Sequence, residues 1–218
     1  MKTKSSSSGN VYTRILDDIG SGTFPSGTRL KVQALADRYG TSIIPVREAL
    51  RLLQGEGLVT IARNKGAAVS ELNAEMILEI FEILQLMEPY FVKAFVKSCT
   101  AEDIARLQDV QDKIRTTPVA DKAAFTALDK QFHEIIARRH YNRRAYDIWE
   151  LQRRILNALA LPVPISTARH QAILKEHESL IDAFKRSDEA DALACINQHV
   201  QGAGDQMYVQ LKQLDREA

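Results

Sequence analysis

Apolar residues in the N-terminal part of the chain fall at helical spacing, interrupted by clusters of helix breakers. Val11, Ile15, Leu16 and Ile19 predict a helix over residues 11–21. The run from Gly22 to Gly27, with Pro25 between, reads as a turn. Val32, Leu35 and Ala36 predict a short helix over 31–39, closed by Gly40 as a left-handed cap. A second short helix is predicted over 44–54, with Ser42 as N-cap, Pro45 in the first turn and Gly55 and Gly57 as stops. Residues 58–62 and 67–70 read as strands around a hairpin turn at 63–66. Helix, helix, turn, helix, hairpin is the order of a winged helix-turn-helix.

Beyond residue 72 the period becomes purely helical. Helices are predicted at 74–98, 101–115, 121–139, 143–159, 167–185 and 189–214. Thr100 and Asp103 have the spacing of a capping box, with Asp where Glu or Gln is usual. Asn142 and either Ser166 or Thr167 are further N-cap candidates, and Pro162 and Pro164 separate the fourth and fifth helices. The fold class is therefore mainly α: an N-terminal winged helix-turn-helix plus a C-terminal antiparallel six-helix bundle. The expected organisation is a disordered tail over 1–10, a winged helix-turn-helix head over 11–72, and an all-helical domain over 73–218.

Composition refines this picture in three places. Residues 1–10 carry Lys2, Lys4 and a serine run but no apolar stretch, so they read as a tail and not as a signal peptide. No apolar run reaches the roughly 18 residues that a membrane span needs, so no membrane partner is expected. Cys99 and Cys195 form no CxxC pair and read as buried thiols of a reducing cytoplasm. The net charge of +1 is divided unevenly. Residues 1–72 hold ten Lys or Arg against six Asp or Glu, whereas residues 73–218 hold nineteen against twenty-two. A basic head ahead of a mildly acidic body suits binding to double-stranded DNA through the head alone.

In a helix-turn-helix the second helix enters the major groove, and its N-terminal residues reach base edges. Here that helix presents Ser42, Ile43 and Ile44 in its first turn, then Arg47 and Arg51 at successive turns. Lys65, at the tip of the wing, suits a phosphate or the minor groove. A single arginine of this kind usually lies on a solvated face, so the DNA reading rests on the order of elements as a whole. One winged helix covers a half-site, so a homodimer on a pseudo-palindromic operator is expected.

Three segments of the head carry a family resemblance: Leu35-Ala-Asp-Arg-Tyr-Gly-Thr-Ser42, Pro45-Val-Arg-Glu-Ala-Leu-Arg-Leu-Leu53 and Glu56-Gly-Leu58. Residues 11–72 resemble the GntR family of bacterial regulators. In that family the two positions between the equivalents of Ser42 and Pro45 are usually Arg and Thr or Ser, and both contact DNA. Ile43 and Ile44 stand there instead. Their methyl groups can meet thymine methyls, so an unusual operator is expected. Arg47 matches the family's retained contact position.

The bundle carries a second constellation. Asp129 and His133 are four apart on one helix, beside Phe125, Phe132 and Ile136. A carboxylate placed in an apolar stripe needs a partner. His177 sits in the stripe of Ile173, Leu180 and Ile181, and His199 in that of Ile196 and Val200. His177 lies about ten residues before the turn near 187–188 and His199 about eleven after it. At about 1.5 Å rise per residue they come level across an antiparallel pair. Three imidazoles and one carboxylate form a site for a divalent metal, with Zn, Ni, Mn and Fe all suited. His140 and His170 read as structural histidines. His170 shares the stripe of His177 but has no level partner.

The bundle resembles the FCD effector domain over residues 73–210, and that domain's metal ligands match Asp129, His133, His177 and His199. The FCD domain often holds a carboxylate effector with an arginine four residues before its Glu-Pro pair. Glu88-Pro89 is present here, but Leu84 occupies the arginine's place. Arg153, Arg154 and Arg169 are the candidates to substitute, each with a solvated face as the competing reading. The function expected is a metabolite-responsive transcriptional repressor, released from its operator by a small effector such as an organic acid bound at the metal. The alternatives are a helical-bundle metalloenzyme, disfavoured by the lack of paired ExxH motifs, and an assembly protein that uses the bundle only to dimerise.

Overall fold

In the computed structural model, residues 5–63, 66–71, 73–160 and 163–217 are described, with side chains from residue 10 to residue 214 within those ranges. Two compact units emerge: residues 1–72 with 154–162, and residues 73–153 with 163–218. The junction at 72–73 is where the apolar period changes. Nothing in the period singles out this segment, because residues 154–159 continue a helix that begins in the other unit.

The first unit contains α1 (Ser5–Gly20), β1 (Arg29–Leu30), α2 (Val32–Tyr39), α3 (Ile43–Gly55), β2 (Val59–Ala62) and β3 (Gly66–Val69). The strands form an antiparallel sheet in the order β1-β3-β2, with Ala68 opposite both Arg29 and Thr60. Ile15, Ile19, Leu35, Val46, Leu50, Leu53, Leu58 and Val69 are buried together as the core. Each such side chain contributes about 1.5–3 kcal/mol relative to exposure. Gly40 ends α2 at φ 63°, and its N–H bonds back to the carbonyls of Ala36 and Asp37. That left-handed conformation is open to glycine without steric cost.

Three features of this unit differ from expectation. Helix α1 begins at Ser5, inside the stretch read as a disordered tail. Apolar spacing starts only at Val11, so periodicity could not show a polar first turn. Strand β1 is two residues long, too short for alternation to register. Ser42 occupies the N-cap of α3 with extended backbone, but its side chain accepts no capping bond.

The second unit is built from α4 (Ala74–Ser98), α5 (Ala101–Thr116), α6 (Lys122–Arg138), α8 (Thr167–Lys185), α9 (Glu189–Glu217) and the earlier turns of α7 (Arg143–Leu159). Each helix starts close to where its polar cap sits in the sequence. Asn73, Asp121 and Ser166 accept from the backbone N–H three residues on. Asn142 accepts from the Ala145 N–H at 3.1 Å. Thr100 and Asp103 complete a reciprocal capping box. Helix α9 packs on α4 and α8, α5 packs on α6 and α8, and α6 also packs on α4. Phe91, Phe95, Phe132, Trp149 and Phe184 fill the centre. Cys99 and Cys195 are half-buried, not buried as expected, and burial raises both thiol pKa values.

The contact of α4 with α9 depends on a missing side chain. A Cβ at Gly204 would lie 2.9 Å from Cγ of buried Phe81. Alanine there would gain about 1 kcal/mol of helix propensity. It would also drive α9 against a ring that cannot yield, at about 1–3 kcal/mol. Gly204→Ala is therefore expected to lower stability in urea titration. An increase would show that Phe81 moves freely.

Candidate metal centre and nucleic-acid face

In the bundle, Asp129 and His133 of α6, His177 of α8 and His199 of α9 each turn one ligand atom toward a common point. The four atoms lie within 4.8 Å of one another. Asp129 Oδ1 is 3.9 Å from His133 Nε2 and 3.7 Å from His177 Nε2, and His133 Nε2 is 3.1 Å from His199 Nε2. All three histidines are buried, His177 to 1% exposure.

The outward nitrogen of each ring is anchored by a different helix. His133 Nδ1 is 3.0 Å from Oε2 of Glu88 on α4. His199 Nδ1 is 2.9 Å from Oε2 of Glu176 on α8, and His177 Nδ1 is 3.2 Å from Oε1 of Gln111 on α5. Each acceptor requires an N–H at Nδ1, which leaves a lone pair on each Nε2. The Nε2 atoms of His133 and His199 would then face each other across 3.1 Å lone pair to lone pair, and His177 Nε2 is buried without any partner. A proton could bridge one gap, but burial holds His177 and His199 below the ordinary imidazole pKa. At His177 the charges of the neighbouring histidines and arginines add to this. A divalent cation satisfies all three nitrogens and the aspartate at once. The donor set fits Zn, Ni, Mn or Fe.

The acceptors are themselves held. Glu88 is fully buried and receives Trp149 Nε1 at 2.7 Å and Arg153 Nη2 at 2.8 Å. Burial would raise its carboxyl pKa, but His133 and Arg153, both facing it at hydrogen-bond distance, hold it well below the usual carboxylate range. Arg153 Nη1 also reaches Asp129 Oδ2 at 3.2 Å, which turns the other oxygen of Asp129 inward. Arg169 donates to Glu176 Oε1 and to the carbonyl of His199, both at 2.8 Å. Burial opposes ionisation of Glu176, but its hydrogen bonds to His199 and Arg169 keep its pKa lowered. Gln111 donates 2.8 Å to the Leu174 carbonyl.

The three arginines considered as effector anchors thus pair with the protein's own carboxylates. Arg153 and Arg169 are buried, so neither lies on a solvated face. Arg154 belongs to the first unit, where it reaches the Tyr12 hydroxyl and both oxygens of Glu56 at 3.4 Å. Glu88, Gln111 and Arg153 were not read from sequence as supports of the centre. Each is a polar residue inside an apolar stripe: Glu88 between Leu84 and Phe91, Gln111 between Leu107 and Ile114, and Arg153 between Trp149 and Leu156. His140 accepts the Asn142 N–H at 3.0 Å and stacks near Tyr90 and Tyr141, while His170 packs 5.0 Å from the Phe125 ring. Neither belongs to the cluster.

In the first unit, Ser42, Ile43, Ile44, Arg47 and Arg51 are all exposed on α3. Ile43 is 37% exposed and Ile44 68%, so neither serves the core. Val46, Ala49, Leu50 and Leu53 hold the opposite face. Lys65 lies outside the described residues.

A winged helix-turn-helix and a helical bundle with a buried His/Asp cluster define a DNA-binding transcription regulator. The model of the FCD domain matches residues 79–202, and that of bacterial regulatory proteins of the gntR family matches residues 7–69. The chain belongs to the GntR family of transcriptional regulators, with an FCD domain behind the head. It is 26% identical over 211 residues to the gluconate operon transcriptional repressor of Bacillus subtilis, covering 94% of this chain and 86% of that one. It is also 26% identical over 202 residues to the transcriptional repressor GlaR of Escherichia coli, covering 87% of this chain and 90% of that one. Among solved structures, Escherichia coli McbR/YncC superposes with a TM-score of 0.77 at 23% identity, covering 94% of this chain and 98% of that one. A GntR regulator from Rhodococcus superposes at 0.79 and 22% identity, covering 93% and 97%. The protein is a regulator and not an enzyme. Among the described residues no helix is long and apolar enough to cross a membrane.

The cluster also sets a pH response in metal-free protein. The unfolded chain protonates His177 and His199 near 6.5, whereas the folded chain resists, because burial lowers both. The unfolded state then binds more protons on acidification, so stability falls as pH drops through that value. The urea midpoint of metal-stripped protein is expected to decline between about pH 7.5 and 5.5. A flat profile would mean that the rings are not held neutral.

Proposed function

We propose that this chain is a metabolite-responsive repressor. A divalent metal held by Asp129, His133, His177 and His199 receives a small organic acid, and the acid releases a dimer from its operator. The observation that supports the metal most directly is the set of three Nδ1 anchors, which leaves three buried Nε2 lone pairs and one carboxylate oxygen converging. Four protein ligands leave up to two positions on a six-coordinate ion, where carboxylate oxygens could replace water. Leu84 is buried and apolar, so the metal supplies charge that an arginine there would otherwise provide. A regulator of this kind works in the cytoplasm, where its DNA is.

The residues that act are then few. Asp129 and the histidines hold the ion. Arg153 orients Asp129, and Glu88, Gln111 and Glu176 fix the imidazoles. Ser42, Ile43 and Ile44 meet base edges, with methyl contacts from the two isoleucines. Arg47 meets guanine or phosphate, while Arg51 and Lys65 contact the backbone. To act as a switch, the acid must bind the DNA-free form more tightly, typically by about 1–3 kcal/mol.

Arg47→Ala is expected to weaken operator binding by about 1–3 kcal/mol if Arg47 reads guanine. If it meets only phosphate, the loss is similar on scrambled DNA and the salt slope falls by about one. Titrations on both DNAs at two salt concentrations separate these roles, and no loss on either removes both. His177→Ala is expected to lose the metal and leave the operator complex insensitive to organic acids, while DNA binding persists. Metal analysis and operator titration with and without a panel of acids test this. Full metal content with a normal acid response would remove His177 from the mechanism.

A further inference from the structure

The three anchors of the centre are not equivalent. His133 and His199 lean on carboxylates, each also paired with an arginine, whereas His177 leans on the neutral amide of Gln111. Gln111 is completely buried, and its amide is used at both ends, with Oε1 accepting from His177 and Nε2 donating to Leu174. A glutamate at that position could also accept from His177 Nδ1, but when ionised it would set its second oxygen against the Leu174 carbonyl, so the hydrogen bonds already favour the amide.

Charge favours it as well. The groups around the centre are Asp129, Glu88 and Glu176 against Arg153 and Arg169, which with neutral imidazoles leaves one negative charge. A divalent ion turns that into one positive charge in a nearly dry site, where uncompensated charge is costly. A single anionic group at the ion brings the sum to zero. A glutamate at 111 would bring it to zero with no anion at all.

We infer that Gln111 is a positioning and specificity-determining residue. Its neutral amide fixes the tautomer of His177 while keeping the metal-loaded centre one charge positive, so that the centre demands one carboxylate from its ligand. This rests on the metal reading above. It adds the reason why the filled centre still attracts an anion, and it limits that attraction to one negative group at the ion. A residue that merely packed or merely held His177 would not couple metal affinity and anion affinity in opposite directions.

Cobalt(II) is a suitable probe, because its visible bands report both metal uptake and anion binding. Full-length protein is titrated with cobalt against a competing chelator, then the loaded protein with acetate. Gln111→Glu is expected to hold cobalt about 10-fold more tightly, since a carboxylate partner raises the basicity of the imidazole ligand and loss of such a partner typically costs about 10–100-fold. The same variant is expected to bind acetate at least about 10-fold more weakly. Gln111→Met removes the hydrogen bond without adding charge. It is expected to hold cobalt about 10-fold more weakly without weakening acetate. Cobalt and acetate affinities that move together in Gln111→Glu, or acetate weakened by Gln111→Met, overturn the inference while leaving the metal reading intact. Wild-type protein that takes up no cobalt overturns both.

Discussion

The bundle depends on one unresolved repulsion. His133, His177 and His199 are turned so that their lone pairs meet in the interior, with His133 and His199 only 3.1 Å apart at Nε2. A protein interior satisfies nearly all its buried polar atoms. Here the Nε2 of His177, without a hydrogen-bond partner, sits at the point where all six helices from α4 to α9 deliver ligands or supports. Glu88 from α4, Gln111 from α5, Asp129 from α6 and Glu176 from α8 all act on the same few ångströms. A cation at that point would join these helices through charge. Apolar packing alone would hold them only through shape.

That arrangement connects fold to regulation within the bundle. Arg153 touches Glu88, an anchor of one histidine, and also Asp129 of the cluster. A change at the cluster therefore has a short polar path to α7. The paired charges are buried, so any rearrangement that separates them is costly, and the centre should move between discrete states instead of drifting.

Much of this was legible in the sequence because the bundle is regular. The bounds of α4, α7 and α8 coincide with the apolar period, and the Thr100 box, the Asn142 and Ser166 caps and the Gly40 stop were visible as residue types. The four residues that converge could be singled out because Asp129 and His133 lie four apart on one helix, and His177 and His199, polar residues in apolar stripes, come level across the next pair. The same reasoning applied to Glu88, Gln111 and Arg153 would have revealed the supporting shell. Glutamate, glutamine and arginine in a stripe do not suggest metal chemistry on their own, which hides these supports in the sequence. The first turn of α1 and the strand β1 were hidden for a different reason. One is polar, the other is two residues long, and neither is specified by local periodicity.

Native mass spectrometry of full-length protein, purified without a metal-affinity step, tests the central claim most directly. The account requires one divalent ion per chain, released by a strong chelator and regained on dialysis against the metal. Protein that is folded, binds its operator and carries no ion before or after such dialysis would contradict it.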